Sequence, residues 1–184
     1  MARIPYVEPA TAPPAVREVL DRLPVQLNIF KLMAHAETNF RPLLQLGSSI
    51  LAQQQLAANF RELAILRVAQ LSGAEYEWVQ HVPIAQATGV TEAQVAALKR
   101  GEIDPACFDD VERAVLAFTT EVVRDVGASA GTFATMQQHF SSREIVELIL
   151  AVGFYMTVAR LMETTAIDLD PPAGTKVVDS LVRR

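Results

Sequence analysis

Apolar residues recur at helical spacing through most of this chain, and no stretch alternates long enough to propose a strand. From Asn39 to Gln54 the apolar positions Leu43, Leu44, Leu46, Ile50 and Leu51 mark one face of a helix. Asn59-Phe60-Arg61-Glu62 has the form of a capping box, opening a helix through Leu63, Leu66, Val68 and Ala69 to a stop at Gly73. A helix carrying His81 follows and ends near Gly89. Thr91 with Gln94 opens another, ending at Gly101. Asp109 or Asp110 caps a helix that ends at Gly127, and a short one covers Thr132 to His139. Ser141 with Glu144 caps a long helix from Arg143 to about Thr164. Shorter pieces are predicted over 15–23, stopped by Pro24, and over Asn28 to Ala34. The fold class is all-α.

The long helix is apolar on nearly every side, with Ile145, Val146, Leu148, Ile149, Leu150, Val152, Phe154, Met156 and Val158. Such a helix belongs at the centre of a bundle or at a subunit interface. Residues 1–14, with Pro5, Pro9, Pro13 and Pro14, predict an extended arm. Residues 15–170 predict one compact domain, and 171–184 a tail after Pro171-Pro172.

At 184 residues the chain is long enough for a core without metal or disulfide staples. Hydrophobic residues make up 51% and charged residues 20%, an apolar excess that predicts surface buried between subunits of a homo-oligomer. A net charge of −5 without Lys/Arg clusters argues against nucleic acid and against an anionic membrane. No run reaches the roughly 18 consecutive apolar residues of a membrane span; Leu148 to Ala159 is interrupted by Gly153 and Thr157. The first residues lack the apolar stretch of a signal peptide, so the expected location is cytoplasmic. Cys107 is the single cysteine, beside no cation, and reads as inert.

Chemistry concentrates in two neighbouring helices. Glu77 and His81 lie one turn apart and share a helix face, and Glu62 sits one helix earlier. Imidazole suits general acid or base work, and a carboxylate beside it can hold its tautomer or act as the base itself. Each residue also has a plain structural role open to it. Glu62 completes the capping box, His81 is a hydrogen-bonded core histidine, and Glu77 forms a helix-surface pair with His81. Tyr76 and Trp78 are candidates to line a substrate pocket, Tyr76 as a hydroxyl donor, or else core aromatics with a polar tip. His35 is a candidate second imidazole or a loop histidine. Arg67 and Arg160 sit in apolar helices and predict ion pairs. Glu62, Glu77 and His81 lack the His-rich spacing of a metal site, so neither metal nor other cofactor is expected.

The framed Glu62 and His81 resemble the carboxymuconolactone decarboxylase and alkylhydroperoxidase-like family over roughly residues 35 to 170. The redox branch of that family carries Glu-x11-Cys-x2-Cys-x3-His. On this chain its cysteines fall on Ala74 and Glu77, while Glu62 and His81 keep the spacing. The resemblance implies a compact helical bundle assembled as a trimer or hexamer. It also implies a cofactor-independent lyase or isomerase acting by proton transfer on a small unsaturated lactone or keto acid. His81 would be the acid/base, with Glu77 and Glu62 as its partners and Tyr76 as oxyanion donor. The alternatives are a peroxidase-like redox protein, which would need the missing thiols, and a ligand-binding oligomer without turnover.

Overall fold

The computed structural model describes residues 1–182. Its elements are a 3-10 turn at Pro9–Thr11 followed by ten α-helices. These are α1 (Pro14–Asp21), α2 (Asn28–Met33), α3 (Glu37–Ala52), α4 (Ala58–Ser72), α5 (Glu75–Ala87), α6 (Glu92–Lys99), α7 (Asp110–Asp125), α8 (Ala130–His139), α9 (Ser142–Thr165) and α10 (Lys176–Val182). No strand occurs among the described residues.

The caps at Thr91, Asp109 and Ser141 all form, each as a reciprocal box with the Gln or Glu three residues on. The expected box at Asn59 does not. α4 starts at Ala58 with Ala57 at its cap, so Asn59 already lies inside the helix. Glu62 is thereby free to turn inward rather than satisfy the helix end. α4 stops at Gly73, whose φ of +66° is the left-handed conformation a C-terminal turn requires. The α7 helix ends one step before Gly127, with Val126 taking the left-handed position.

α4 is the axis of the bundle. Every residue from Arg61 to Ala69 is buried, because α5, α7 and α9 pack around it. Three apolar clusters meet there. Ile65, Val68, Phe118, Leu148 and Val152 join α4, α7 and α9. Val16, Leu20, Met33, Phe40 and Met162 tie the N-terminal helices to the end of α9. Leu63, Leu66, Leu98, Phe108 and Leu116 fill the α4–α6–α7 side.

α9 is long and apolar enough, by length and composition alone, to cross a membrane, unlike what runs of consecutive apolar residues suggest. Nine of its residues, among them Leu148, Val152, Tyr155 and Ala159, are instead buried in the bundle. Its opposite side exposes Val146, Ile149 and Leu150.

The expected tail contains a helix. α10 packs on α3, and the segment before it is pinned to the domain. Gln80 donates to the carbonyls of Asp170 and Pro171, both at 3.2 Å, and accepts from the Ala173 amide at 3.0 Å. The N-terminal arm is tied down as well: the Arg3 amide donates to the Thr165 carbonyl at 2.7 Å, and Tyr6 and Asp168 exchange hydrogen bonds. Polar backbone in these end segments finds partners in the domain, which their Pro-rich sequences alone do not reveal.

Candidate active site

The Gly73 turn folds α5 back along α4 and brings two of the three sequence-predicted acid/base residues into contact. The His81 Nδ1–Glu62 Oε2 distance is 2.9 Å. The other oxygen of Glu62 accepts from Arg61 Nε at 3.1 Å. Glu62 is wholly buried and Arg61 nearly so, making this a desolvated chain from guanidinium to carboxylate to imidazole. A carboxylate on Nδ1 orients the ring and leaves Nε2 as the nitrogen available to a ligand. Tyr155 of α9 braces the ring edge-on, with centroids 4.8 Å apart and planes at 87°.

Glu77 is buried on the same helix but does not join this chain, and both of its carboxylate oxygens lack a hydrogen-bond partner. Burial, with the charges of Glu62 and Glu163 adding, holds its carboxyl well above the usual carboxylate range. That environment favours the neutral form of the carboxyl, which carries an O–H to donate. Burial and the nearby Glu62 charge likewise raise the Tyr155 phenol well above its ordinary value.

Glu77, His81 and Tyr155 line one cavity of about 160 Å³. Its walls are otherwise mostly apolar, with Leu27 from the loop before α2, Phe30 from α2, Leu44 from α3, and Phe154 and Met162 from α9. Ala173, Gly174 and Val177 close one side from the C-terminal segment. Gly47 of α3 makes room for Phe154, since a Cβ there would meet the ring at 2.9 Å.

Tyr76 also lines the cavity, but its hydroxyl proton is committed to Asp170 at 2.5 Å. It offers the cavity its ring and holds the C-terminal segment, rather than presenting a free donor. Trp78 does not line the cavity. It faces the Leu63–Leu98 cluster, with the Lys99 ammonium 4.9 Å from its ring centroid. His35 does not supply a second imidazole: it is exposed and bonds the Pro5 carbonyl at 2.7 Å. Trp78 lies away because its side of α5 faces another cluster, and His35 because it sits in the turn between α2 and α3, neither of which spacing to His81 can show. Cys107 packs against the same cluster as Trp78, away from the cavity wall. Arg67 finds no carboxylate. It is held by Thr120, Gln70 and the Gly101 carbonyl at 2.9, 2.8 and 3.2 Å. Arg160 is exposed and bonds the Met156 carbonyl, one turn back.

Two contributors were not evident from the sequence as site residues. Arg61 was visible only as half of an Arg-Glu pair, and Tyr155 only through a weak echo between the segments after Arg61-Glu62 and Arg143-Glu144. Among the described residues, no three His, Cys, Asp or Glu side chains gather in a geometry that would hold a metal ion.

The helix order, the buried Glu–His pair and the cavity beside it define an alkylhydroperoxidase-like bundle. The alkylhydroperoxidase AhpD core structure of a peroxidase-related protein from Ralstonia eutropha superposes with a TM-score of 0.77 at 20% identity, over 98% of this chain and 94% of that one. A peroxidase-related protein from Silicibacter gives 0.72 at 17% identity, over 86% and 88%. A variant of the debrominase Bmp8, solved with 2,3,4-tribromopyrrole, gives 0.73 at 17% identity, over 96% and 95%. Residues 38–121 match the carboxymuconolactone decarboxylase family model. A comparison with curated proteins returns no match.

Proposed function

We propose that this protein is a cofactor-independent lyase or isomerase of the cytoplasm that moves a proton on a small unsaturated lactone or keto acid. The observation that carries this reading is the His81–Glu62 contact in the wall of a cavity that also holds Glu77. Proton abstraction next to a carbonyl needs a base and a donor to the developing enolate oxygen. His81, oriented by Glu62 and charge-balanced by Arg61, serves as the base through Nε2. Glu77, kept protonated, serves as the donor, in the manner of a carboxylic acid held neutral in an apolar site. The same imidazole then returns the proton to carbon, with or without loss of CO2.

The experiment is incubation in deuterated water with a panel of unsaturated lactones and keto acids, read by mass spectrometry. Deuterium enters the carbon skeleton with the wild type, and His81→Ala reduces it by about a hundredfold or more. Incorporation unchanged in His81→Ala, with the fold intact by circular dichroism, would sink the reading.

The names of two similar structures favour a peroxidase-like alternative. Against it stands the cavity wall, which has Glu77 where a reducing thiol would be needed, with Cys107 elsewhere. The debrominase neighbour, solved with a small ring compound, is compatible with a ring-sized ligand here and equally with binding alone. We also propose a homo-oligomer, a trimer or hexamer, joined through the exposed Val146, Ile149 and Leu150 of α9. Light scattering is expected to give a multiple of the chain mass, and Ile149→Glu a smaller particle.

A further inference from the structure

Among the described residues, the cavity wall contains a buried carboxyl with nothing to bond and no cation to answer a charged ligand. Both oxygens of Glu77 are inaccessible and unpartnered, and the residue is 2% exposed. Among the described residues, no lysine or arginine contributes to the lining. The buried Arg61 is spent on Glu62, and neither it nor the buried Arg67 belongs to the wall. A carboxylate entering here would be desolvated among Glu77, His81 and apolar side chains, with the Glu62 charge behind them. We infer that the cavity selects neutral, ring-sized molecules carrying one hydrogen-bond acceptor, seated on the Glu77 carboxyl, and turns away carboxylates of the same size. This deepens the proton-transfer reading and rests on it for the choice of site; it narrows the ligand to lactones and ketones over keto acids.

Size and chemistry agree. A cavity of about 160 Å³ is comparable to the roughly 150 Å³ engineered apolar cavity that takes a benzene ring. Ligand polarity can be met at few points. Tyr76 is engaged with Asp170, and Gln80 with the C-terminal segment, which leaves Glu77, the His81 Nε2 and the hydroxyls of Tyr155 and Ser48 as partners. An outer groove does carry cations, Arg22 and Arg41, but both turn to Glu18, at 3.0 and 3.6 Å. They meet the inner cavity only through shared walls such as Leu23 and Leu44, so a single ring bound at Glu77 does not sit on them.

The test is a titration followed by nuclear magnetic resonance at neutral pH with three probes: cyclohexanone, cyclohexene and cyclohexanecarboxylate. Cyclohexanone is expected to bind about tenfold or more tightly than either of the others, a difference of about 1.4 kcal/mol. Glu77→Gln, which keeps a donor, retains that preference. Glu77→Leu, which removes it, brings cyclohexanone down to the level of cyclohexene. The inference fails if the carboxylate binds as tightly as the ketone, if the ketone's advantage survives in Glu77→Leu, or if no probe perturbs the cavity residues. Ketone binding with the stated preference but without deuterium exchange on any lactone or ketone would uphold this inference and defeat the proton-transfer reading instead.

Discussion

The Tyr155 ring meets the His81 imidazole edge to face, at 87° and 4.8 Å between centroids, while Glu62 holds the imidazole through Nδ1. Two helices thus restrain one ring by different means, a hydrogen bond from α4 and aromatic packing from α9. Tyr155→Phe preserves the edge contact and is expected to leave stability within about 1 kcal/mol. Tyr155→Ala removes a buried aromatic from the core and is expected to cost about 3–5 kcal/mol in denaturant unfolding. Equal costs for the two would show that the hydroxyl, rather than the ring, does the bracing.

Glu62 carries two partners, so its loss orphans both. Glu62→Gln leaves the Arg61 guanidinium buried without a countercharge and is expected to destabilise the fold by about 3–5 kcal/mol. The double variant Arg61→Met with Glu62→Gln is expected to recover a good part of that. Thermal unfolding of the two singles and the double measures the coupling, and strictly additive losses would contradict a shared ion pair.

Glu77 contributes to stability with the opposite sign. Its folded-state carboxyl titrates well above the ordinary range, so the folded state holds a proton that the unfolded state releases. Stability from this group is fully present below the unfolded carboxylate range and is lost as pH rises toward the folded value. Glu77→Gln lacks that loss. Its stability relative to wild type is therefore expected to grow above about pH 4.5, by up to about 1.4 kcal/mol per pH unit until the buried group ionises. Urea unfolding from pH 4 to 8 reads the difference, and a flat difference would place an ionised Glu77 in the folded protein.

Gly47 sets how much space lies beside Phe154. The added methyl of Gly47→Ala would press the ring end, which is the movable part of that neighbour. The ring is expected to swing toward the cavity, narrowing it and costing about 1–3 kcal/mol. A crystal structure of the variant checks the displacement, and ligand titration checks the loss of room.

Most of the helical scaffold was legible in the sequence because caps and glycine stops are local chemistry. Thr91, Asp109 and Ser141 begin helices where their patterns say they do. Asn59 failed because its pattern competed with tertiary demand: burying α4 from Arg61 onward pulls Glu62 toward His81, and the helix starts two residues earlier. The Glu62–His81 contact was legible through its spacing in the family motif. Helical spacing alone put Glu77 beside His81 without revealing that its carboxyl is buried with no hydrogen-bond partner. The misplaced members, His35 and Trp78, depend on which way a loop or a helix face turns, which is set by packing from distant segments. The C-terminal helix was missed because its anchors are on Asn28, Tyr76 and Gln80, far away along the chain.

Those anchors divide the site by the distance along the chain that each part must bridge. The Glu62–His81 contact spans 19 residues within one helical hairpin, whereas Asp170 reaches Tyr76 across 94 residues and the Asn28 amide across 142. Closing a loop of that length is slower and less local than pairing two adjoining helices. The reactive pair belongs to the stable axis of the bundle, and the enclosure belongs to a strap held by a handful of polar bonds. Opening of the strap can therefore admit and release ligand while the imidazole keeps its orientation, so that access and chemistry answer to separate parts of the chain. Amide hydrogen exchange would show this as fast exchange over 168–180 against strong protection from Arg61 to Ala69.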